Sequence, residues 1–406
     1  MKNLLSYDEA LTRLLAGATP VRDTESVPTQ AAAGRVLAAP LVSTLDVPPL
    51  DNTSMDGYAV RCADVPASGT RLAVAQRIPA GSVGHTLAPG TAARIFTGAP
   101  LPAGADAVVM QELCAVEGGA VTINHVPRPG EWIRRRGEDI AAGAEVLAAG
   151  TRLTAAHVGV AASVGAARLT VFRRLRVALF STGDELAMPG EPLKPGGIYN
   201  SNRYTLRALL EAMGCVVDDC GIVPDRREAT QVALRDAAAA NDLILTSGGV
   251  SVGEEDHVKP SVEAEGRLDL WKIAIKPGKP LAFGAVRRGD GDDGSEAAFI
   301  GLPGNPVSSF VTFLVLVRPF ILRAQGAAQA LPLGLERRAD FDFPGDPRRE
   351  FLRARVNADG GLDLFGNQSS GVLTSCTWAD GLVDNPAGQA IARGDRVRFL
   401  PFSELL

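Results

Sequence analysis

Three segments of the 406-residue chain combine glycine, hydroxyl and carboxylate side chains in a way that suits phosphate and metal chemistry. They are FSTGDEL (180–186), TSGGVSVGEED (246–256) and GLPGNPVSS (301–309), each placed directly after an apolar run. Glycine lets a backbone approach a phosphate closely, and Ser or Thr adds hydroxyl donors. The candidate contacts are Ser181, Thr182 and Gly183; Ser247, Gly248, Gly249, Ser251 and Gly253; and Gly304, Asn305 and Ser308. One glycine turn after a strand is ordinarily only a turn, whereas three together point to a ligand. The same loops carry Asp184, Glu185, Glu254, Glu255 and Asp256, and Asp225 stands at a further strand-to-helix connection, VPDRRE. Mg²⁺ commonly takes one or two protein carboxylates together with phosphate oxygens and water, which fits this set. Helix capping is the competing reading, since an Asp in a first turn satisfies free N–H groups without any metal.

The segment WKIAIKPGKPLAF (271–283) sets Lys272, Lys276 and Lys279 around a strand and its exit. Lys272 and Lys276 are four apart, so in one β-strand both point to the same face. Such a stripe calls for an anion, although strand-end lysines also guard a sheet edge. With acidic loops expected nearby, an oxyanion or phosphate site is the better reading. Other motifs drop out. Gly278-Lys279 is followed by Pro280, so there is no Walker A loop, and HExxH is absent. Cys215 and Cys220 fall on opposite faces of a strand, and no Ser-His-Asp set is identifiable. The residues alone describe a Mg²⁺-assisted enzyme acting on a phosphorylated or other anionic substrate.

Positioning these loops needs an open α/β sheet, in which ligands bind beyond the carboxyl ends of parallel strands. From Arg176 onward the pattern is strand, Gly-rich loop, helix, repeated: RVALFST, NSNRYTLRALLEAMG, CVVDDCGIV, PDRREATQVALRDAAAA, DLILTS. That alternation predicts a mostly parallel sheet with helices on both faces. The N-terminal stretch reads as a helix opened by the capping box Ser6-x-x-Glu9, followed by Ala-rich helix in TQAAAGRVLAAP and again in TAAHVGVAASVGA. Short apolar runs punctuated by Gly and Pro between Asp56 and Asp139 predict a β-rich unit, and so do the alternating runs after Ala328. The expected division is 1–46 with 140–174 as a discontinuous helical domain, 47–139 as a β-rich insertion, 175–328 as the α/β domain and 329–406 as a β-barrel domain.

Charge and composition exclude several classes. Lys plus Arg is 41 and Asp plus Glu is 46, a balance of −5, without the positive field that nonspecific nucleic-acid binding needs. The most apolar run, VTFLVLV, meets Arg318 and Pro319 at once, and the N-terminus carries Asp8, Glu9 and Arg13 where a signal peptide is apolar. Five cysteines are too few for a disulfide framework. The expectation is a cytoplasmic protein with neither nucleic-acid nor membrane partners.

Read in order, PPLDNTSMDGYAVR (48–61), RIFTGAPLPAGADAVV (94–109), RRGEDI (135–140), STGDEL, YNSN (199–202), VPD (223–225), SGGVSVGEEDHVK (247–259), KPGKPL (276–281), GLPGNPVSS and GNQSSGVLTS (366–375) resemble the motifs of molybdopterin molybdenumtransferases. That is the MoeA family, which includes the E domain of gephyrin. The resemblance covers nearly the whole chain. It implies an elongated homodimer of four-domain subunits and a reaction in which adenylylated molybdopterin and molybdate give molybdenum cofactor and AMP with Mg²⁺. It further implies a cleft between the α/β domain of one subunit and the first two domains of the other. Carried over where the motifs stand, Asp56, Thr97, Asp139, Glu185, Asp225, Asp256, Lys272 and Lys276 are similar to functional positions, as are Pro303 and Pro306. Glu185, Asp225 and Asp256 are the implied metal ligands, with Lys279 among the substrate contacts. Transient contacts with the molybdopterin adenylyltransferase and with acceptor molybdoenzymes are implied too. Departures are small: the acidic EEDH, and the hydrophilic insert RRGDGDDGSE, which reads as a lengthened surface hairpin. Two other readings stay open, the adenylyltransferase of the same pathway, which matches only 175–325, and a gephyrin-like scaffold without catalysis. Tungstate, nearly the same size and charge as molybdate, satisfies the same motifs.

Overall fold

The computed structural model describes residues 4–250, 257–289 and 295–406. At its centre is a six-stranded sheet. Arg176–Thr182 pairs in parallel with Val216–Val223 on one side and with Leu243–Ser247 on the other, and Leu243–Ser247 pairs in parallel with Glu296–Leu302. Two antiparallel strands, Ala282–Arg287 and Gly266–Trp271, complete it. Side chains alternate across the sheet with period two. Val177, Leu179, Leu243 and Leu245 meet the helices Ser201–Ala212 and Pro306–Ala324, while Ala178, Phe180 and Ile244 meet Arg227–Ala240 and Val258–Glu265. Helices on both faces bury the nearly continuous apolar strands that such a sheet requires.

The run VTFLVLV lies inside Pro306–Ala324, a helix apolar and long enough to cross a membrane, with 94% of its span buried in the protein. It packs as a core helix. Its middle, Phe313–Val317, is a π segment. Widening there precedes Pro319, whose ring and missing N–H disrupt an ordinary α-helix.

Of the three helical stretches expected in this part, two are helical and one is not. Tyr7–Gly17 is helical, with the reciprocal Ser6 and Glu9 cap. The second Ala-rich stretch is also helical, over Ala155–Ser163 with Thr154 as its N-cap, but TQAAAGRVLAAP holds only a 3₁₀ turn, Thr29–Ala31. Strands replace the rest: Thr24–Pro28 pairs antiparallel with Arg168–Phe172, and Leu41–Val42 with Glu145–Leu147. Gly34, Gly150 and Gly165 sit at φ of +78°, +81° and +77°, which breaks helix whatever the alanine content.

Between them lies a six-stranded sheet ordered Ala107–Met110, Gly57–Val60, Thr91–Ile95, Thr70–Ile78, Ala120–Ile123, Cys114–Glu117, with small apolar cores. In the C-terminal part, Leu335–Arg338, Arg396–Pro401, Gly381–Asn385, Arg349–Val356 and Leu362–Leu364 pair in succession. Ala339, next to the first strand, bridges Leu362 in the last, so the pairing returns on itself around Leu352, Leu362, Val383 and Phe399.

One expectation fails here with consequences for the site. WKIAIK is not a single strand. Gly266–Trp271 belongs to the central sheet, whereas Ile275–Lys276 pairs in parallel with Arg349–Val356 of the C-terminal sheet. The chain changes sheets at Ile273 and Ala274, where Ile273 bridges Leu5 and the Ala274 N–H donates to the Leu5 carbonyl. Lys272 and Lys276 therefore do not share a strand face. The charged insert does join an antiparallel pair, with Arg287 opposite Glu296; residues 290–294 lie outside the described residues.

Candidate active site

Four of the loops picked out in the sequence leave neighbouring parallel strands at the same edge. The strand order reverses between Arg176–Thr182 and Leu243–Ser247, because the chain first pairs outward to Val216–Val223 and then returns. Such a reversal opens a crevice at the carboxyl ends. A cavity of about 530 Å³ lies there, lined by Thr182, Glu185, Ser247 and Gly248 on one side and by Pro303, Gly304, Asn305, Pro306 and Ser308 on the other.

The loops touch through backbone. The Gly248 N–H donates to the Leu302 carbonyl at 3.1 Å. A Cβ on Gly248, at φ +91°, would lie 2.6 Å from the Thr182 carbonyl oxygen, and one on Gly249, at φ +64°, would lie 2.6 Å from Thr182 Oγ1. Gly183, at φ +143°, lies under the Glu185 carboxylate, 2.5 Å from where its Cβ would be. Ser181, Thr182 and Thr246 are buried with hydroxyl oxygens that have no hydrogen-bond partner among the described residues, and so is the Asn200 Nδ2 amide. Buried polar groups are ordinarily paired. Two of these four, Thr182 and Asn200, line the cavity.

Two helix N-termini face the same crevice. Asn200 caps Ser201–Ala212 by accepting from the Arg203 N–H, and Asn202 Nδ2 donates to the Gly304 carbonyl at 2.8 Å, tying that helix to the opposite loop. Pro306–Ala324 starts at the cavity wall; the positive ends of both helices favour an anion. Asp225 follows the edge strand, and its N–H donates to Asp184 Oδ1 at 3.3 Å. Ser251, Gly253 and Asp256 lie outside the described residues. Lys279 is exposed beside Pro280, which lines the cavity. Lys272 follows the last strand of the central sheet, and Lys276 is bound to two carboxylates, Glu350 in strand Arg349–Val356 of the C-terminal sheet and Asp346 in the loop before it, at 3.1 Å each.

Asp56, Thr97 and Asp139 gather elsewhere. Asp56 Oδ1 accepts from both the N–H and the hydroxyl of Thr97, each at 2.8 Å. The Asp139 N–H donates to the Val47 carbonyl, and Arg136 N–H to Asp51 Oδ1, so all three motifs dock on the stretch 46–56. Among the described residues, no hydrogen bond joins this group to the crevice loops. The Thr97 N–H and hydroxyl hold the Asp56 carboxyl below the usual carboxylate range. The pair is therefore complete at neutral pH and is lost only as pH falls through that depressed value. In an NMR titration, the Thr97 amide should shift at a pH below about 3.9, the ordinary Asp midpoint, and Thr97→Val should move the midpoint part of the way back.

Sequence reading gave no role to Arg353, which is fully buried and is hydrogen-bonded to Ser375 Oγ and the Ser369 carbonyl beneath the 366–375 motif. Arg353 is one of three arginines in the strand Arg349–Val356, and nothing local distinguishes the buried one. The motif it braces reaches the crevice, since the Ser370 carbonyl accepts from the Val307 N–H in the first turn of the helix that begins at Pro306.

Three family models match the chain. Residues 5–165 match the MoeA N-terminal region (domain I and II), residues 178–323 the probable molybdopterin binding domain, and residues 336–402 the MoeA C-terminal region (domain IV). The molybdopterin molybdenumtransferase of Haemophilus influenzae is 44% identical over 328 residues, covering 80% of this chain and 79% of the relative. Molybdopterin molybdenumtransferase 2 of Mycobacterium tuberculosis is 38% identical over 403 residues, covering 95% and 96%. The crystal structure of the molybdopterin biosynthesis moeA protein from Pyrococcus horikoshii superposes with a TM-score of 0.84 at 29% identity, covering 98% of this chain and all of that one. On fold, motifs and relatives alike, the chain belongs to the molybdopterin molybdenumtransferases, transferases of molybdenum cofactor biosynthesis.

Proposed function

We propose that the chain inserts molybdate into adenylylated molybdopterin with the help of Mg²⁺, releasing AMP and molybdenum cofactor. The observation that carries this reading is the crevice, where glycine backbones, the unpartnered Thr182 hydroxyl and two helix N-termini converge on one cavity. Ser181, Thr182, Ser247, Gly248 and Gly249 would meet phosphate from one wall, with Ser251 and Gly253 continuing that loop. Gly304, Asn305 and Ser308 would meet it from the other, and Pro303 and Pro306 fix that wall's shape.

A divalent ion fits the donor set. Among the described residues no three His, Cys, Asp or Glu side chains cluster closely enough to enclose a metal. Mg²⁺ needs only one or two carboxylates when phosphate and water complete its shell. Glu185, at the cavity wall, and Asp225 would hold it, with Asp256. Bound there, it would neutralise phosphate charge and make the anhydride cleavable. Glu185 is aimed by the absence of a side chain at Gly183, and Lys272, Lys276 and Lys279 would draw the molybdate dianion to the same end of the molecule.

Asp56, Thr97 and Asp139 would complete the site from a second subunit, which accounts for their lying together but apart from the crevice of their own chain. The working units are then 1–46 with 140–174, 47–139, 175–328 and 329–406 in a homodimer. Five free cysteines suit a reducing compartment, the cytoplasm. The test is AMP release and molybdenum incorporation when the purified protein meets adenylylated molybdopterin, Mg²⁺ and molybdate. AMP release that requires molybdate and is abolished by chelating Mg²⁺ supports the reading. Tight pterin binding without turnover would replace it with a binding or scaffold role.

A further inference from the structure

The ammonium of Lys276 is held by two unequal carboxylates. Strand Ile275–Lys276 runs parallel to Arg349–Val356 with Lys276 opposite Glu350, and Nζ lies 3.1 Å from Glu350 Oε1 and 3.1 Å from Asp346 Oδ2. Asp346 already has its own cation. Arg348 donates Nε to Oδ1 at 3.0 Å and Nη2 to Oδ2 at 3.1 Å, and its backbone N–H adds a third bond. These donors hold the Asp346 carboxyl well below the usual range. Glu350 has no second cation bonded to it among the described residues. It is 1% exposed, Lys276 is its ion-pair partner, and its oxygens have no other hydrogen-bond partner among the described residues. Asn385, opposite it in the next strand, likewise leaves Oδ1 unpartnered. Burial raises the Glu350 carboxyl and the Lys276 ammonium opposes that rise. The lysine side chain itself stays 41% exposed, so an anion from solvent reaches Lys276 but not Glu350.

We propose that Glu350 is a positioning residue that parks Lys276 until an incoming tetrahedral oxyanion draws the ammonium away, whereupon Glu350 takes up a proton from solvent. This rests on the reading that Lys276 meets molybdate. A buried carboxylate that loses its counter-charge neutralises rather than stay ionised in a low dielectric. The balance is simple: one proton passes from solvent to a Glu350 oxygen and returns when Lys276 swings back, with no bond between heavy atoms made or broken. The charged groups facing the pair are Asp346 and Arg348, already matched to each other, and Asn385 is neutral. Oxyanion binding is thereby linked to proton uptake, and linkage requires the affinity to fall as pH rises.

The test is the KM for molybdate in steady-state turnover by the full chain, from about pH 6 to about pH 8.5, spanning ordinary solution conditions. In the wild type, KM should rise with pH, with a limiting slope of about tenfold per unit for one linked proton. Glu350→Gln keeps an acceptor for the ammonium but no charge to titrate. Its KM should be flat, and at the alkaline end about three- to tenfold below wild type, since one like charge near the dianion is gone. A merely structural Glu350 would instead give a raised KM at every pH with the slope intact. That pattern, or an unchanged slope in Glu350→Gln, overturns the proposal. If Glu350→Gln does not fold, Asp346→Asn decides: the slope should persist there, and its loss overturns the assignment to Glu350. Lys276→Ala tests the underlying reading separately. A raised, pH-independent KM supports it, whereas an unchanged KM removes Lys276 from the oxyanion site and the proposal with it.

Discussion

Gly248→Ala should abolish most turnover while leaving the fold intact. The methyl group would lie 2.6 Å from the Thr182 carbonyl oxygen and 3.4 Å from Thr182 Oγ1, on a backbone at φ +91° that L side chains rarely adopt. Neither neighbour is a flexible side-chain tip. The clash is with the backbone of the adjacent loop, so relief requires the two loops to part, and Gly304, whose own Cβ would sit 3.8 Å from the Gly248 Cα, must follow. A displacement of about 1 Å at reacting groups costs on the order of a hundredfold in rate. Stability should fall by only about 1–3 kcal/mol, because the strained residue stands at a strand end. Gly190→Ala separates strain from collision. Its φ is +96° but nothing lies within 4 Å of its Cβ, so it should lose about 1 kcal/mol and retain turnover within about twofold. Turnover and melting temperature of both variants decide the matter. Gly248→Ala retaining activity within about threefold of wild type would mean that the loop contact does not set the crevice.

The contrast between these two glycines shows what a sequence makes legible. Glycine and serine after an apolar run place a loop at a strand end, and repetition of strand and helix places several such loops at one edge, because parallel strands share a direction. The alternation of Val177 and Leu179 against Ala178 and Phe180 was equally readable, since it is local and obeys period two. What failed depended on partners far along the chain. Alanine content predicts helix over 29–40, yet Val36 bridges Arg152 and Leu37 bridges Val171, and the segment is drawn into bridges and turns. Helix propensity amounts to tenths of a kcal/mol per residue and yields to such pairing. Lys272 and Lys276 have the spacing of one strand face, but pairing with Leu5 and with Arg349–Val356 carries the chain from one sheet to another between them. The carboxylates that meet Lys276 come from residues 346 and 350, and no local pattern announces them. Asp56 and Thr97, 41 residues apart, are joined by two hydrogen bonds; the sequence offered each as a candidate only through its motif.

Arg353→Ala should produce the largest loss of stability. The side chain is fully buried, and it meets no carboxylate among the described residues; its guanidinium donates to Ser375 Oγ at 3.1 Å, the Ser369 carbonyl at 3.2 Å and the Phe351 carbonyl at 3.5 Å. Burial pushes its pKa down to about 10, so it remains charged at neutral pH. Truncation to Ala leaves a large cavity and unpaired acceptors, together costing about 3–5 kcal/mol. Arg353→Met refills the volume without a cation. Replacing a buried charge by an apolar chain of similar size is often close to neutral, so about half or more of the lost stability should return. The function of the brace should not return with it. Gln368 also holds the loop, accepting from the Arg353 N–H and donating to its carbonyl, but Ser369 and Ser375 lose their donor in both variants. The Ser370 carbonyl that accepts from the Val307 N–H then sits on a looser segment. Hydrogen exchange at Val307 should accelerate in Arg353→Met even where its melting temperature approaches that of the wild type. If Val307 protection instead tracks global stability in both variants, Arg353 supports the C-terminal core alone and does not hold the 366–375 loop against the crevice helix.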